Sequence, residues 1–114
     1  MNDKKNILIT GGVGFIGSNL AERLTKQGHN VFSIDNYSFG KKENEIDNVR
    51  YIEADIENIS SFNKSIDICY HLAAMAKVQP SFENPVDYFR VNANGTMKVM
   101  EWAKKNNVKV VYAG

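Results

Sequence analysis

The stretch Thr10 to Gly17, TGGVGFIG, constrains this chain more than any other. It follows a short apolar run, Ile7 to Ile9, and opens an amphipathic segment at Phe15, the context of a strand, a glycine-rich turn and a helix N-terminus. Gly11, Gly14 and Gly17 let the backbone turn tightly, approach a ligand with no Cβ in the way, and pack the helix against the strand. The free N–H groups and positive dipole end of that helix favour a pyrophosphate. Glycines also serve ordinary turns. The strand before the turn, the helix after it and an acid, Asp35, closing the next strand together point to a dinucleotide.

Asp35 carries the next step. A carboxylate at the end of the second strand can accept hydrogen bonds from both ribose hydroxyls of the adenosine half of NAD, and its charge repels a 2′-phosphate. The plainer alternative is that Asp35 caps a turn with Asn36. Lys41 and Lys42 follow and can be read as a 2′-phosphate clamp or as a solvated loop pair.

The 114 residues are 43% hydrophobic, which suits one domain spanning residues 1–114 but is short for an enzyme holding both cofactor and substrate. Fourteen basic against thirteen acidic residues leave no field that would draw the chain to nucleic acid or a membrane, so the expected partner is a small molecule. The polar start, Met1 to Lys5, precedes an apolar run too short for a signal segment or a membrane span, and a cytoplasmic location is expected. Cys69 is the single cysteine. Lying inside the apolar run Ile66 to Leu72, it reads as a buried, inert thiol.

The pattern along the chain alternates. Strands are expected at Ile7–Thr10, Val31–Ile34, Val49–Ala54, Asp67–Leu72 and Val108–Tyr112. A helix is expected from Phe15 to about Gln27, with Ile16, Leu20, Ala21 and Leu24 on one face and Gly28 as its stop. Residues 36–47 read as a polar loop, and a short helix carries Ile59, Phe62 and Ile66 on its apolar side. Asn84 and Pro85 signal the start of a long helix whose apolar positions are Val86, Phe89, Ala93, Met97, Met100 and Ala103. Such alternation means parallel pairing with right-handed crossovers: a Rossmann-type, doubly wound α/β fold of about five strands with helices on both faces.

Several spaced motifs resemble a known family. TGGVGFIGSNLAERL at 10–24, DNYSFG at 35–40, EADI at 53–56, HLAA at 71–74, SFENPVDYFRVNANGT at 81–96 and VKVVYAG at 108–114 are similar to the N-terminal part of extended short-chain dehydrogenase/reductases. Within these the chain looks most like the NAD-dependent nucleotide-sugar epimerases and dehydratases, in particular UDP-glucose 4-epimerase-like members. The resemblance implies NAD as cofactor and a nucleotide sugar as substrate. It implies that Gly11, Gly14 and Gly17, with the backbone of Phe15 and Ile16, hold the pyrophosphate, and that Asp35 and Asn36 hold the adenosine ribose. It also implies that Asp55 and Ile56 flank the adenine, that Leu72, Ala73 and Ala74 line the nicotinamide-ribose side, and that Asn92 helps organise the site. Other readings stand beside these. Asp55 can be a helix cap, and residues 72–74 a buried strand end. His71 can be a core histidine satisfied by a backbone partner, and Gly95, at a cost of roughly 1 kcal/mol relative to alanine in a helix, can serve close packing. Lys77 lies one position from where some members carry a lysine that reaches the ligand, with Ala76 at that place, and is given no role.

The resemblance further implies a chemistry that needs a Ser or Thr, a Tyr base and a Lys four residues later, all beyond the strand matching Val108–Tyr112. No such set follows here, and Tyr112 sits in the strand. The expectation is therefore an N-terminal cofactor-binding portion, inactive alone, of an enzyme that moves hydride to and from the sugar C4. The alternative is a noncatalytic dinucleotide-binding sensor or regulatory module. A methyltransferase also pairs a glycine-rich turn with an acid, but the GxxGxxG spacing and the HLAA strand argue against one. The apolar last strand and the long helix, which in the resembling family often joins a dimer's four-helix bundle, suggest a homo-oligomer.

Overall fold

The computed structural model describes residues 4–37, 41–72 and 85–112, with the side chains of 85–94 and 112 outside the description. Five strands form one sheet: β1 (Asn6–Thr10), β2 (Asn30–Asp35), β3 (Val49–Glu53), β4 (Ile68–His71) and β5 (Lys109–Tyr112). All neighbours are parallel, in the order β3-β2-β1-β4-β5. The expected fold class is the one observed.

One helix covers each face. Helix α1 (Phe15–Lys26) buries Gly17, Ala21 and Leu24 against Ile7, Ile9 and Val31, while helix α2 (Pro85–Asn106) sets Val99, Trp102 and Ala103 against Leu8, Phe32 and Cys69. Alternation along each strand divides these two sets, since residues in register share a face. Each buried aliphatic side chain contributes about 1.5–3 kcal/mol of burial free energy, so both layers matter. Phe62 joins the second layer edge-on, 5.9 Å from the ring of Phe32 and 6.0 Å from that of Trp102. Cys69 is fully buried there, and burial pushes its thiol up to about 12, as expected of an inert cysteine.

Both helices stop in the same way. In α1, His29 N–H reaches Leu24 C=O (3.2 Å) around Gly28 at φ 93°; in α2, Val108 N–H reaches Ala103 C=O (2.8 Å) around Asn107 at φ 60°. These six-residue closures satisfy carbonyls that the helices cannot, and Val108 and Ala103 also meet in the core.

Three expectations need correction. Ile16, placed on the inner face of α1, is 51% exposed. Met97 and Met100, placed on the inner stripe of α2, are 59% and 41% exposed, and the buried line runs through Gly95, Val99 and Trp102 instead. Helix α2 carries two apolar stripes, and the buried one includes Gly95, where Ile56 of the neighbouring 3₁₀ segment comes close: a Cβ there would lie 2.9 Å from Ile56 Cγ1 and closer still to Cδ1. The short helix is a 3₁₀ segment, Ile56–Ser61, with a kink at Asn58, and buried Ile66 lies beyond it. Six residues rich in Ser, Asn and Ile are too few and too poor in helix formers to do more. A second 3₁₀ turn, Lys42–Asn44, lies in the polar loop. Strand bounds otherwise shift by one residue, and Asn84 lies outside the described residues.

At the carboxyl end of the sheet, Thr10 of β1 pairs in register with His71 of β4. The His71 ring shares one hydrogen bond with Thr10 Oγ1 (Nδ1, 2.7 Å) and another with Thr96 Oγ1 of α2 (Nε2, 3.1 Å). The partners identified are thus two hydroxyls, where a backbone group was expected. Hydroxyls rotate, so both bonds close with either neutral tautomer. Burial drives the His71 pKa down to about 4. A base weakened by folding takes its proton first in the unfolded chain. Its stabilising contribution is whole above about pH 6.5 and is lost as pH falls toward about 4, up to about 3 kcal/mol in all. Denaturant unfolding from pH 7.5 to 4 is expected to show that loss in the parent chain and a shallower one in His71→Gln; parallel profiles would contradict it.

Candidate cofactor site

The site is built on the turn between β1 and α1. Gly11 has φ 85°, a conformation costly for an L side chain, and its N–H bonds Ile34 C=O (2.8 Å). A Cβ on Gly17 would lie 2.9 Å from the Gly11 carbonyl carbon and from Gly12 Cα, and closer to Gly11 O, so glycine is needed where α1 leans on its own turn. Gly14 is different. At φ −76° and ψ 174° any residue fits, and a Cβ would meet only Gly11 O at 3.5 Å. Among the described residues nothing asks for glycine at 14.

The first turn of α1 follows Gly14. The earliest helical bond runs from Ser18 N–H to Gly14 C=O (2.9 Å), so the N–H groups of Phe15, Ile16 and Gly17 have no carbonyl to reach within the helix. Gly14 offers no capping side chain, and the first turn holds no acid. Ser18 Oγ and Asn19 Nδ2 both turn back to Phe15 C=O (3.1 and 2.8 Å). The result is a helix N-terminus that, among the described residues, has no side-chain cap and no acid in its first turn, flanked by the exposed side chains of Phe15 and Ile16.

Asp35 lies beside it. One carboxylate oxygen accepts the Val13 N–H (3.2 Å) and the other the Tyr37 N–H (2.7 Å), so the acid joins the glycine-rich turn and also caps its own turn, the plainer role. Asn36 Nδ2 donates to Asp55 Oδ1 (2.9 Å), bringing the ends of β2 and β3 together. Asp55 does stand at the cap position of the 3₁₀ segment, but its side chain makes no cap bond. Ile56 is half-buried against the Gly95 backbone of α2. Leu72 follows β4, its N–H on Thr10 C=O (3.1 Å). Gly11, Gly14, Phe15, Ile16, Gly17, Asp35, Asn36, Asp55, Ile56 and Leu72 are thereby placed along the carboxyl ends of β1 to β4. Ala73, Ala74 and Lys77 lie outside the described residues, as does the side chain of Asn92, a member of α2.

Three residues escaped the sequence reading. A Cβ on Gly12 would fall 2.6 Å from Ser33 Cβ and nearer to its hydroxyl, so Gly12 is packed on β2; the doubled glycine was the available signal. Asn44 sends its Nδ2 to Val13 C=O (2.8 Å), a contact 31 positions back that no local pattern announces. Glu45 takes the Tyr37 O–H (2.5 Å), and burial with this acid holds the phenol far above its usual range as a donor. The side chains of Lys41 and Lys42 are exposed, as for a solvated pair. Among the described residues no helix is long and apolar enough to cross a membrane.

Residues 7–114 match the family described as NAD dependent epimerase/dehydratase. A UDP-N-acetyl-alpha-D-glucosaminuronate decarboxylase of Bacillus cytotoxicus is 38% identical over 96% of this chain and 36% of its own length. A putative UDP-glucose 4-epimerase of Methanocaldococcus jannaschii is 34% identical over 94% of this chain and 37% of its own length. The chain thus spans about a third of the curated relatives it matches. The solved UDP-glucose 4-epimerase of Thermus thermophilus, a complex with NAD, superposes with a TM-score of 0.81 at 34% identity, covering 96% of this chain and 37% of that one. With an uncapped helix start over a glycine-rich turn, an acid closing β2, and these matches over nearly all its residues, the chain belongs to the NAD dependent epimerase/dehydratase family.

Proposed function

We propose that residues 1–114 form the NAD-binding portion of a nucleotide-sugar epimerase or dehydratase. The observation that carries this is the open first turn of α1, with Gly14 in front of it and Asp35 tied to the same turn. In this reading the N–H groups of Phe15, Ile16 and Gly17 receive the pyrophosphate, and Gly11 and Gly14 keep the approach clear. Asp35 holds the adenosine ribose, since each of its oxygens retains a lone pair beyond the bond it already makes. Asn36, Asp55 and Ile56 border the adenine, while Leu72, Ala73, Ala74 and Asn92 serve the nicotinamide side. When bound, NAD takes up a hydride and returns it; in the whole protein the donor carbon is the sugar C4. This chain's part is to bind and orient the cofactor.

Calorimetric titration is expected to show tighter binding of NAD than of NADP, because the Asp35 carboxylate would face the 2′-phosphate. Asp35→Asn removes the charge and keeps one acceptor oxygen, so one of the Val13 and Tyr37 N–H groups loses its partner. Loss of charge-assisted bonds, about 1.5–3 kcal/mol, should weaken NAD about tenfold or more and narrow the preference. Tighter NADP binding by the parent would sink the assignment, as would unchanged NAD binding by Gly14→Val.

Self-association belongs to the same proposal. Among the described residues β5 is the outermost strand, and Val111 on it and Met97 and Met100 on α2 are exposed, which supports pairing of copies through the last strand, the long helix or both. Light scattering over a concentration series is expected to show a mass above the monomer's, and a constant monomer mass would contradict it.

A further inference from the structure

We propose that Asn44 is a positioning residue for the dinucleotide, fixing the peptide unit from which the first turn of α1 starts; the proposal rests on the NAD reading above. Val13 is fully buried and all its backbone polar atoms are engaged. Its N–H goes to Asp35 Oδ2 (3.2 Å), and its carbonyl accepts both Asn44 Nδ2 (2.8 Å) and the Lys41 N–H (3.3 Å). On the other side of the same peptide plane, Gly14 N–H bonds Gly11 C=O (3.2 Å), and Gly14 C=O takes the first helical bond from Ser18. The peptide between Val13 and Gly14 is thus pinned at both ends, and its orientation sets where the N–H groups of Phe15, Ile16 and Gly17 aim.

Asn44 supplies the shorter of the two bonds on that carbonyl. Without it the Lys41 N–H alone remains on that carbonyl, at 3.3 Å. A purely local role does not account for the side chain. The 3₁₀ turn that carries Asn44 is closed by backbone bonds, Asn44 N–H to Lys41 C=O (2.8 Å) and Glu45 N–H to Lys42 C=O (3.0 Å), and the amide reaches away from it. Asp35, closing β2, and Asn44, in the connection that follows it, therefore hold consecutive peptides of one turn. That arrangement ties the pyrophosphate cradle to the ribose acid.

The test compares the chain with Asn44→Ala and Asn44→Gln, titrating each with NAD and with adenosine, and following denaturant unfolding without ligand. Adenosine reports the Asp35 side of the site and NAD the first turn of α1 as well. Loss of one hydrogen bond should weaken NAD about tenfold in Asn44→Ala, leave adenosine within about twofold, and be largely restored in Asn44→Gln, with cooperative unfolding in all three. Equal NAD binding by parent and Asn44→Ala, or an equal loss of NAD and adenosine, overturns the proposal while leaving the NAD reading in place. Loss of folding in both variants overturns it too, by assigning Asn44 to the fold. A parent chain that binds no NAD removes the reading on which the proposal rests, a result that no Asn44 variant can imitate.

Discussion

β1 is paired on both sides by strands running the same way, and the rest of the molecule follows from that. Parallel neighbours oblige every connection to cross a face of the sheet, so α1 and α2 end up on opposite sides and the loops that matter leave from one edge. The strand order steps outward in one direction through β2 and β3 and in the other through β4 and β5. The chain therefore parts above Thr10, the switch point of the sheet. Ligands of such sheets bind at that parting.

A parting in the chain is a weak point unless something closes it below. Thr10 and His71 do so from β1 and β4, and Thr96 extends the closure to α2. The group that bridges them is neutral, which avoids the cost of a buried charge beneath the glycine-rich turn. Above it, Asp35 gathers the Val13 and Tyr37 N–H groups, and the Asn36–Asp55 bond closes the outer end. Hydrogen bonds between elements, rather than any one loop, thus tie together the carboxyl ends of β1 to β4.

How much of this could be read from residues alone depended on range. The turn at 10–17, the acid at 35 and the strand alternation are local signals, and the structure places them as the pattern demands. The inner face of α2 was misread because Met97 and Met100 keep helical spacing as well as Val99 and Trp102 do. What chose between the two stripes was Gly95 against Ile56, a contact between distant segments. The same holds for Asn44 and Val13 and for Gly12 over Ser33: each joins segments far apart in the chain, which periodicity cannot supply.

The packing of Gly12 on Ser33 makes substitution at these two positions a one-sided exchange. Alanine at 33 would not make room for a side chain at 12, since the Ser33 Cβ itself stands 2.6 Å from where a Gly12 Cβ would be. Only glycine at 33 would, and that would place a flexible residue within β2, two positions before the acid that closes it. Any lineage of this chain that gains a side chain at position 12 must therefore loosen the strand beneath it.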